Sequence, residues 1–266
     1  MSDARTVLIS GAASGLGLAL AQEAGRRGWR VALADIQESR GEAALRTLTD
    51  AGVEAMFLRC DIRQDVDVRV AVQRVSRRWG RLDLLVNNAG VASTGLFEAL
   101  SDDDWRWHLD TNLLGTVRSC RAAVSEMQRQ GAGQIVNIAA LDGVCPAPGQ
   151  SSEAACAAAI MALSESLRSE LAPLNIKVSV ALVPPFRSNL GEQLRSTDAV
   201  SRARYLRAMG DADDNSEQLA REIFEGIEKQ AFLITNQQGR SRLRSRRWRP
   251  KRFFEDMKTL AARIRR

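Results

Sequence analysis

Seven residues near the start of the chain carry the first chemistry legible in it: Gly11-Ala12-Ala13-Ser14-Gly15-Leu16-Gly17. They follow a short β-rich run and open a stretch of helical periodicity. Glycines in that context let the backbone turn tightly and let phosphate oxygens approach the main chain. The helix that follows points its N-terminal N–H groups and its dipole at the anion. Eighteen residues after Gly17, closing the next β-rich run, stands Asp35. A carboxylate there accepts hydrogen bonds from both hydroxyls of an adenosine ribose and repels a 2′-phosphate. No Arg or Lys follows Asp35 until Arg40. The pattern predicts a dinucleotide site that prefers NAD to NADP, built from Gly11, Ser14, Gly15, Leu16, Gly17 and Asp35.

Positioning those groups requires a particular framework. Short β-rich runs alternate with helical stretches, the mark of a parallel sheet covered on both faces. Strands are expected at 6–10, 30–35, 55–60, 82–87, 134–138, 177–183 and 231–235. Helices fit between them at 16–27, 40–51, 65–79, 101–130, 152–172 and 216–229, with a break expected at the start of 101–130. The fold class is α/β, a Rossmann-type doubly wound parallel seven-stranded sheet with helices on both faces. One domain is expected over 1–237, with a lid at about 186–214. A basic tail, 238–266, ends in an amphipathic helix from Phe253, where Phe253, Phe254, Met257, Leu260 and Ile264 recur at helical spacing.

Composition narrows the class. With 45% hydrophobic and 26% charged residues over 266 positions, the chain can bury a sizeable core and is too apolar for disorder. No apolar run is long enough to span a membrane, and the first residues lack the apolar stretch of a secretion signal. Cys60, Cys120, Cys145 and Cys156 show no paired spacing, so they read as core residues and no metal site is expected. A cytoplasmic protein follows. The net charge of +6 is concentrated in eight cations between Arg240 and Arg252. Such a tail suits a phosphate-bearing small molecule such as an acyl thioester, an acidic protein or a membrane surface. It equally suits a solvated tail or a subunit face, and no nucleic-acid partner is expected.

Further along come Cys60-Asp61-Ile62, Asn87-Asn88-Ala89-Gly90, Asp110-Thr111-Asn112-Leu113 and Val183-Pro184-Pro185. With the Gly-x-x-x-Gly-x-Gly turn, these segments resemble, in order and over about residues 6–236, the short-chain dehydrogenase/reductase family. The resemblance implies hydride exchange between a nicotinamide and a carbon bearing oxygen. It places Asp61 and Ile62 by the adenine, Asn88, Ala89 and Gly90 beside the cofactor, and Pro184 near the nicotinamide. Pro185 stands where the family usually has glycine. It also implies dimers or tetramers assembled through the two long helices.

In that family a Tyr transfers the proton, a Lys four residues on lowers its pKa and holds the ribose, a Ser holds the substrate oxygen and an Asn supports a water relay. Here only Asn112 matches. The Ser position reads Ala140, the Tyr position Glu153 and the Lys position Ala157. No lysine precedes Lys177, and the one tyrosine, Tyr205, lies some fifty residues downstream. The resemblance is therefore to a degenerate member lacking the Ser-Tyr-Lys residues.

Three readings stay open. One is a NAD(H)-binding protein without ordinary carbonyl or alcohol redox activity, acting in regulation or as a silent subunit, as a homo-oligomer or paired with an active paralogue. Another is a NAD-dependent oxidoreductase with Glu153 as non-standard acid/base, Asp142 as a second carboxylate and Ser151 or Ser152 holding the substrate oxygen. The last is a non-redox enzyme on the same scaffold. Taken alone, Glu153 reads as an exposed Glu following capping residues Ser151 and Ser152. His108, one helical turn before Asn112, reads as a core or interface residue.

Overall fold

Alternate residues of the strands face opposite ways, and both sets are apolar. In the computed structural model, Val7, Ile9, Val31, Leu33, Leu84 and Val86 form one core layer. Leu8, Ala32, Ala34 and Leu85 belong to the layer on the other face. A sheet that is greasy on both sides must be covered on both sides, and the chain alternates to do so. The structure describes residues 4–212 and 215–265. The first three residues, the last two of the expected lid and the final residue of the expected tail helix lie outside the described residues.

In chain order the elements are β1 (Thr6–Ser10), α1 (Gly15–Arg26), β2 (Arg30–Asp35), α2 (Glu38–Asp50), β3 (Ala55–Arg59), α3 (Asp65–Trp79), β4 (Leu84–Asn87), β5 (Ser93–Thr94), α4 (Asp102–His108), α5 (Gly115–Gln130), β6 (Gly133–Ala140), α6 (Ser151–Glu170) and β7 (Ile176–Val183). Then follow β8 (Arg195–Ser196), α7 (Ala199–Gly210), α8 (Ser216–Glu228), β9 (Leu233–Ile234), α9 (Gln237–Trp248) and α10 (Pro250–Ile264). The main sheet is seven-stranded, ordered β3-β2-β1-β4-β6-β7-β9, and every pairing in it is parallel. The Rossmann-type doubly wound sheet is thus present. Helices α1, α2 and α8 cover the first face, with α3, α5 and the end of α6 on the second.

The chain winds outward from β1 to β3, then returns to lay β4 on the other side of β1. Crevices open at such reversals, beyond the carboxyl ends of the strands, and ligands bind there. The glycine turn leaves β1 at this point, and the Asn88 segment leaves β4.

Several boundaries differ from expectation. The last strand is reduced to Leu233–Ile234, and β4 begins at Leu84. The expected helix at 101–130 does not break at its start. Ser101 caps α4 through a reciprocal pair with Asp104, and the irregularity is a π-helical turn at Leu109–Leu114, which contains Asn112. The lid holds α7 and β8, which pairs in parallel with β5 from outside the lid, a pairing too short for periodicity to reveal. The basic tail is helical earlier than expected. Asn236 Oδ1 accepts from Gly239 N–H at 2.7 Å to start α9, and Pro250 in the first turn of α10 restarts the helix. Leu243, Phe253 and Met257 pack this tail onto Leu141, Cys145 and Ile160.

Candidate active site

One cavity of about 370 Å³ lies over the reversal of the sheet. At one end are Gly11, Ser14, Gly15, Leu16, Asp35, Asp61, Ile62, Asn88, Ala89 and Gly90; Pro184 and Pro185 border it after β7. All the residues expected at the cofactor line it except Gly17. A methyl group on Gly17 would overlap the Gly11 carbonyl oxygen, so this glycine lets α1 pack against the turn rather than meeting a ligand. Gly17→Ala should therefore cost at least about 2 kcal/mol of stability and weaken dinucleotide binding. Thermal denaturation checks this, with Gly210→Ala as a neutral control because a methyl there meets nothing within 4 Å.

Hydrogen bonds set the turn. Gly11 adopts φ +65°, and a side chain there would strike Ala89 Cα at 2.7 Å. Asn88 Nδ2 donates to the carbonyls of Ser10 and Gly11, each at 3.1 Å, clamping the turn to the end of β4. Asp35 accepts from Ala13 N–H at 3.0 Å and Gln37 N–H at 2.9 Å, which fixes its carboxylate at the cavity edge. Arg40 is turned to the lid, paired with Glu192 at 2.7 Å. Asp61 is held by Arg63 at 2.7 Å, whose guanidinium keeps its carboxyl below the usual range. From the lid, Asn189 Nδ2 donates to Ser14 Oγ at 2.8 Å. A turn that only glycine can make, an amide-lined helix start and a carboxylate at the adjacent strand end fit a nicotinamide dinucleotide. Once held there, such a group supplies or takes up a hydride at its nicotinamide carbon.

The other end of the cavity is lined by Trp107, Asn112, Ala140, Asp142, Glu153, Cys156, Ala157, Tyr205 and Met209. Asn112 is fully engaged. Its Oδ1 accepts from Val91 N–H at 2.9 Å, and its Nδ2 donates to Val91 carbonyl at 2.9 Å and to His108 Nε2 at 2.8 Å. His108 is wholly buried, and burial lowers its pKa to about 4, so the ring is neutral near pH 7. Nε2 accepts, so Nδ1–H donates to Ser93 Oγ at 3.0 Å, and Ser93 then donates to Ser152 Oγ at 2.7 Å. His108 is thus a core residue that braces Asn112.

The expectation that Ser151 or Ser152 could hold a substrate oxygen is corrected. Ser152 is buried in that chain, and neither serine lines the cavity. Nor do they cap α6, whose N-cap is Gln150 without a side-chain bond. Glu153 is therefore no exposed post-cap residue. It is half-buried against the cavity, and its Oε2 has no hydrogen-bond partner. Burial, with the neighbouring Asp142 charge, pushes its pKa up to about 8. Asp142, itself buried, is also pushed up, chiefly by burial; the charge of Arg242 opposes the shift.

Sequence distance hid Tyr205. Helix α7 carries Ser201, Tyr205 and Met209 at four-residue spacing, and this buried stripe delivers the tyrosine to the cavity. There, burial and the charges of Glu153 and Asp142 raise its pKa. The periodicity of 201, 205 and 209 was the available signal. Trp107 had none, since α4 reads as a charged surface helix.

Known proteins match this architecture. Residues 5–199 fit the family model described as short chain dehydrogenase. The chain is 32% identical over 182 residues to a 3-oxoacyl-(acyl-carrier-protein) reductase of Chlamydia pneumoniae, covering 68% of this chain and 73% of that one. A short-chain dehydrogenase/reductase from Burkholderia phymatum in complex with NAD superposes with a TM-score of 0.88 at 24% identity, covering 94% of this chain and 95% of that one. A variant of the actinorhodin polyketide ketoreductase with NADPH gives 0.77 at 25% identity, covering 88% and 96%. The chain belongs to the short-chain dehydrogenase/reductase family of NAD(P)-binding oxidoreductase folds. Among its described residues no helix is long and apolar enough to cross a membrane.

Proposed function

We propose that this protein binds NAD(H) in preference to NADP(H) and does not reduce carbonyls by the tyrosine–lysine route of its family. One observation carries the reading: the positions resembling the Ser, Tyr and Lys are Ala140, Glu153 and Ala157, and all three line the reaction end of the cavity. None of them can lower a phenol pKa or bridge to a ribose as an ammonium does. Asp35 supports the choice of NAD, because a 2′-phosphate would meet a fixed carboxylate. A cytoplasmic setting agrees with four buried free cysteines. Assembly through α5 and α6, with copies of itself or with an active relative, is part of the same proposal.

A second reading is favoured by Glu153. A buried, unpartnered carboxyl oxygen costs stability, and a binding-only site gains nothing from it. A carboxylic acid titrating near pH 8 can hand over a proton, so an oxidoreductase using Glu153 is the alternative. Incubating the protein with NADH and with NAD against carbonyl and alcohol panels tests the pair. The first reading expects no change in the NADH signal on any member. Turnover that vanishes in Glu153→Gln, with NAD(H) binding retained, would replace it with the second.

A further inference from the structure

The reaction end of the cavity holds two carboxyl groups and, among the described residues, no cation. Asp142 enters from the turn after β6 and Glu153 from the first turn of α6, with Trp107, Cys156 and Tyr205 around them. The cation in the cavity wall is Arg63, at the adenosine end and already paired with Asp61. Arg242 acts on Asp142 from α9, which contributes no residue to the cavity wall.

That arrangement is electrostatically wrong for a carbonyl. Hydride addition to C=O builds negative charge on oxygen, and a site for it places donors or cations where the charge develops. Here the Ser position is Ala140, the Lys position is Ala157, and two carboxyl residues, Asp142 and Glu153, line that end instead. The same arrangement is right for nitrogen. Hydride exchange at a C–N bond passes through a positively charged C=N, which an adjacent carboxylate stabilises. The buried, unpartnered Oε2 of Glu153 is the atom that lacks a partner in the protein and would find one in an N–H.

We infer that the substrate of this site is a small amine or its imine, interconverted at the C–N bond with Glu153 as the group that carries the nitrogen's proton. The inference rests on the second reading above. In the reductive direction the Glu153 carboxyl O–H bond breaks and its proton goes to the imine nitrogen, leaving an iminium beside a carboxylate. A reduced dinucleotide held at the other end of the cavity would supply the hydride that converts C=N to CH–N, and the Glu153 carboxylate would regain a proton from solvent. The sum consumes one imine, one reduced dinucleotide and one proton. In the other direction Glu153 takes up the proton that the amine gives up. Asp142 touches no proton in this scheme and is a positioning residue, holding the positive charge of the ligand at the carboxyl end of the site.

Matched probes test it through binding as well as turnover. Cyclohexylamine against cyclohexanol, phenylethylamine against phenylethanol and aminotetralin against tetralol differ only in nitrogen for oxygen. Each is titrated calorimetrically into the full-length protein, with and without NAD, and into Glu153→Gln and Asp142→Asn. The expected result is an amine preference of about tenfold or more in at least one pair, falling to about twofold or less in both variants. NADH production from that amine in the wild type alone would agree with it. Alcohols binding as well as amines in every pair would overturn the inference, as would a preference that survives both substitutions or no binding by any probe. Failure of NAD to bind would instead sink the dinucleotide reading, and the amine preference is still read on the unloaded protein.

Discussion

Carbonyl reduction is expected to appear in a triple variant, Ala140→Ser with Glu153→Tyr and Ala157→Lys. The three positions already line one end of one cavity, and the dinucleotide end is intact. Adding a tyrosine with a lysine one turn further along α6 restores the proton donor, the charge that lowers its pKa and the hold on the ribose. General acid catalysis of this kind contributes about 10²- to 10⁴-fold, so the gain over wild type on a broad carbonyl panel should reach at least about 10². The replaced Ala157 is buried, so the variant's fold must be verified by circular dichroism and NAD binding. A folded, NAD-binding triple variant that stays inactive would show that supplying these three groups is not sufficient for carbonyl reduction.

The second large effect is on stability against pH. The Glu153 carboxyl in the folded protein titrates at about 8, whereas the unfolded chain releases that proton near 4.5. Between those values the native state holds a proton that the unfolded state has lost, so stability falls as pH rises and the loss is complete above about 8. Asp142, also pushed up, adds in the same direction. Carboxyls held low act elsewhere. Asp61 beside Arg63, and Asp198 at about 2 through its bonds to Ser201 and Thr197, lose their stabilising effect only in acid. Urea unfolding at pH 5 and pH 8 should show a drop of about 3 kcal/mol, reduced by whatever water enters the cavity. Glu153→Gln should flatten most of that drop and be the more stable protein at pH 8. Equal slopes in the two proteins would mean that Glu153 is well solvated and that its environment here is misread.

The sheet was legible because its strands are apolar on both faces and its helices have apolar stripes. Those are local patterns, and they mark the elements to within a few residues. The residues that gather at the glycine-turn end of the cavity were legible for a related reason. Gly11, Gly15, Asp35 and Asn88 are read by type and spacing close to the strands that carry them. What escaped is non-local. Tyr205 lines the same cavity as Glu153 only because α7 folds back over it, which brings to one site residues some fifty positions apart. Ser151 and Ser152 look like caps in sequence, yet β5 draws Ser152 into a buried chain with Ser93 and His108. The burial of Glu153 depends on the same packing, so its place in the cavity could be asked about from its position in the motif but not answered. Helix α9 was hidden by its five arginines, whose polarity masks periodicity while Leu243 ties its face to the core.

The most direct test of the account is a calorimetric titration of the purified protein with NAD, NADH and NADPH, repeated on Asp35→Ala. Saturable binding of NAD and NADH, weaker binding of NADPH, and a loss of about tenfold or more in NAD affinity in the variant are the predicted results. The Asp35 carboxylate also fixes Ala13 and Gln37, so Asp35→Asn separates lost charge from lost support of the turn. Absence of binding by all three nucleotides to the folded wild-type protein would contradict the account at its base, leaving the fold of a dehydrogenase without its cofactor.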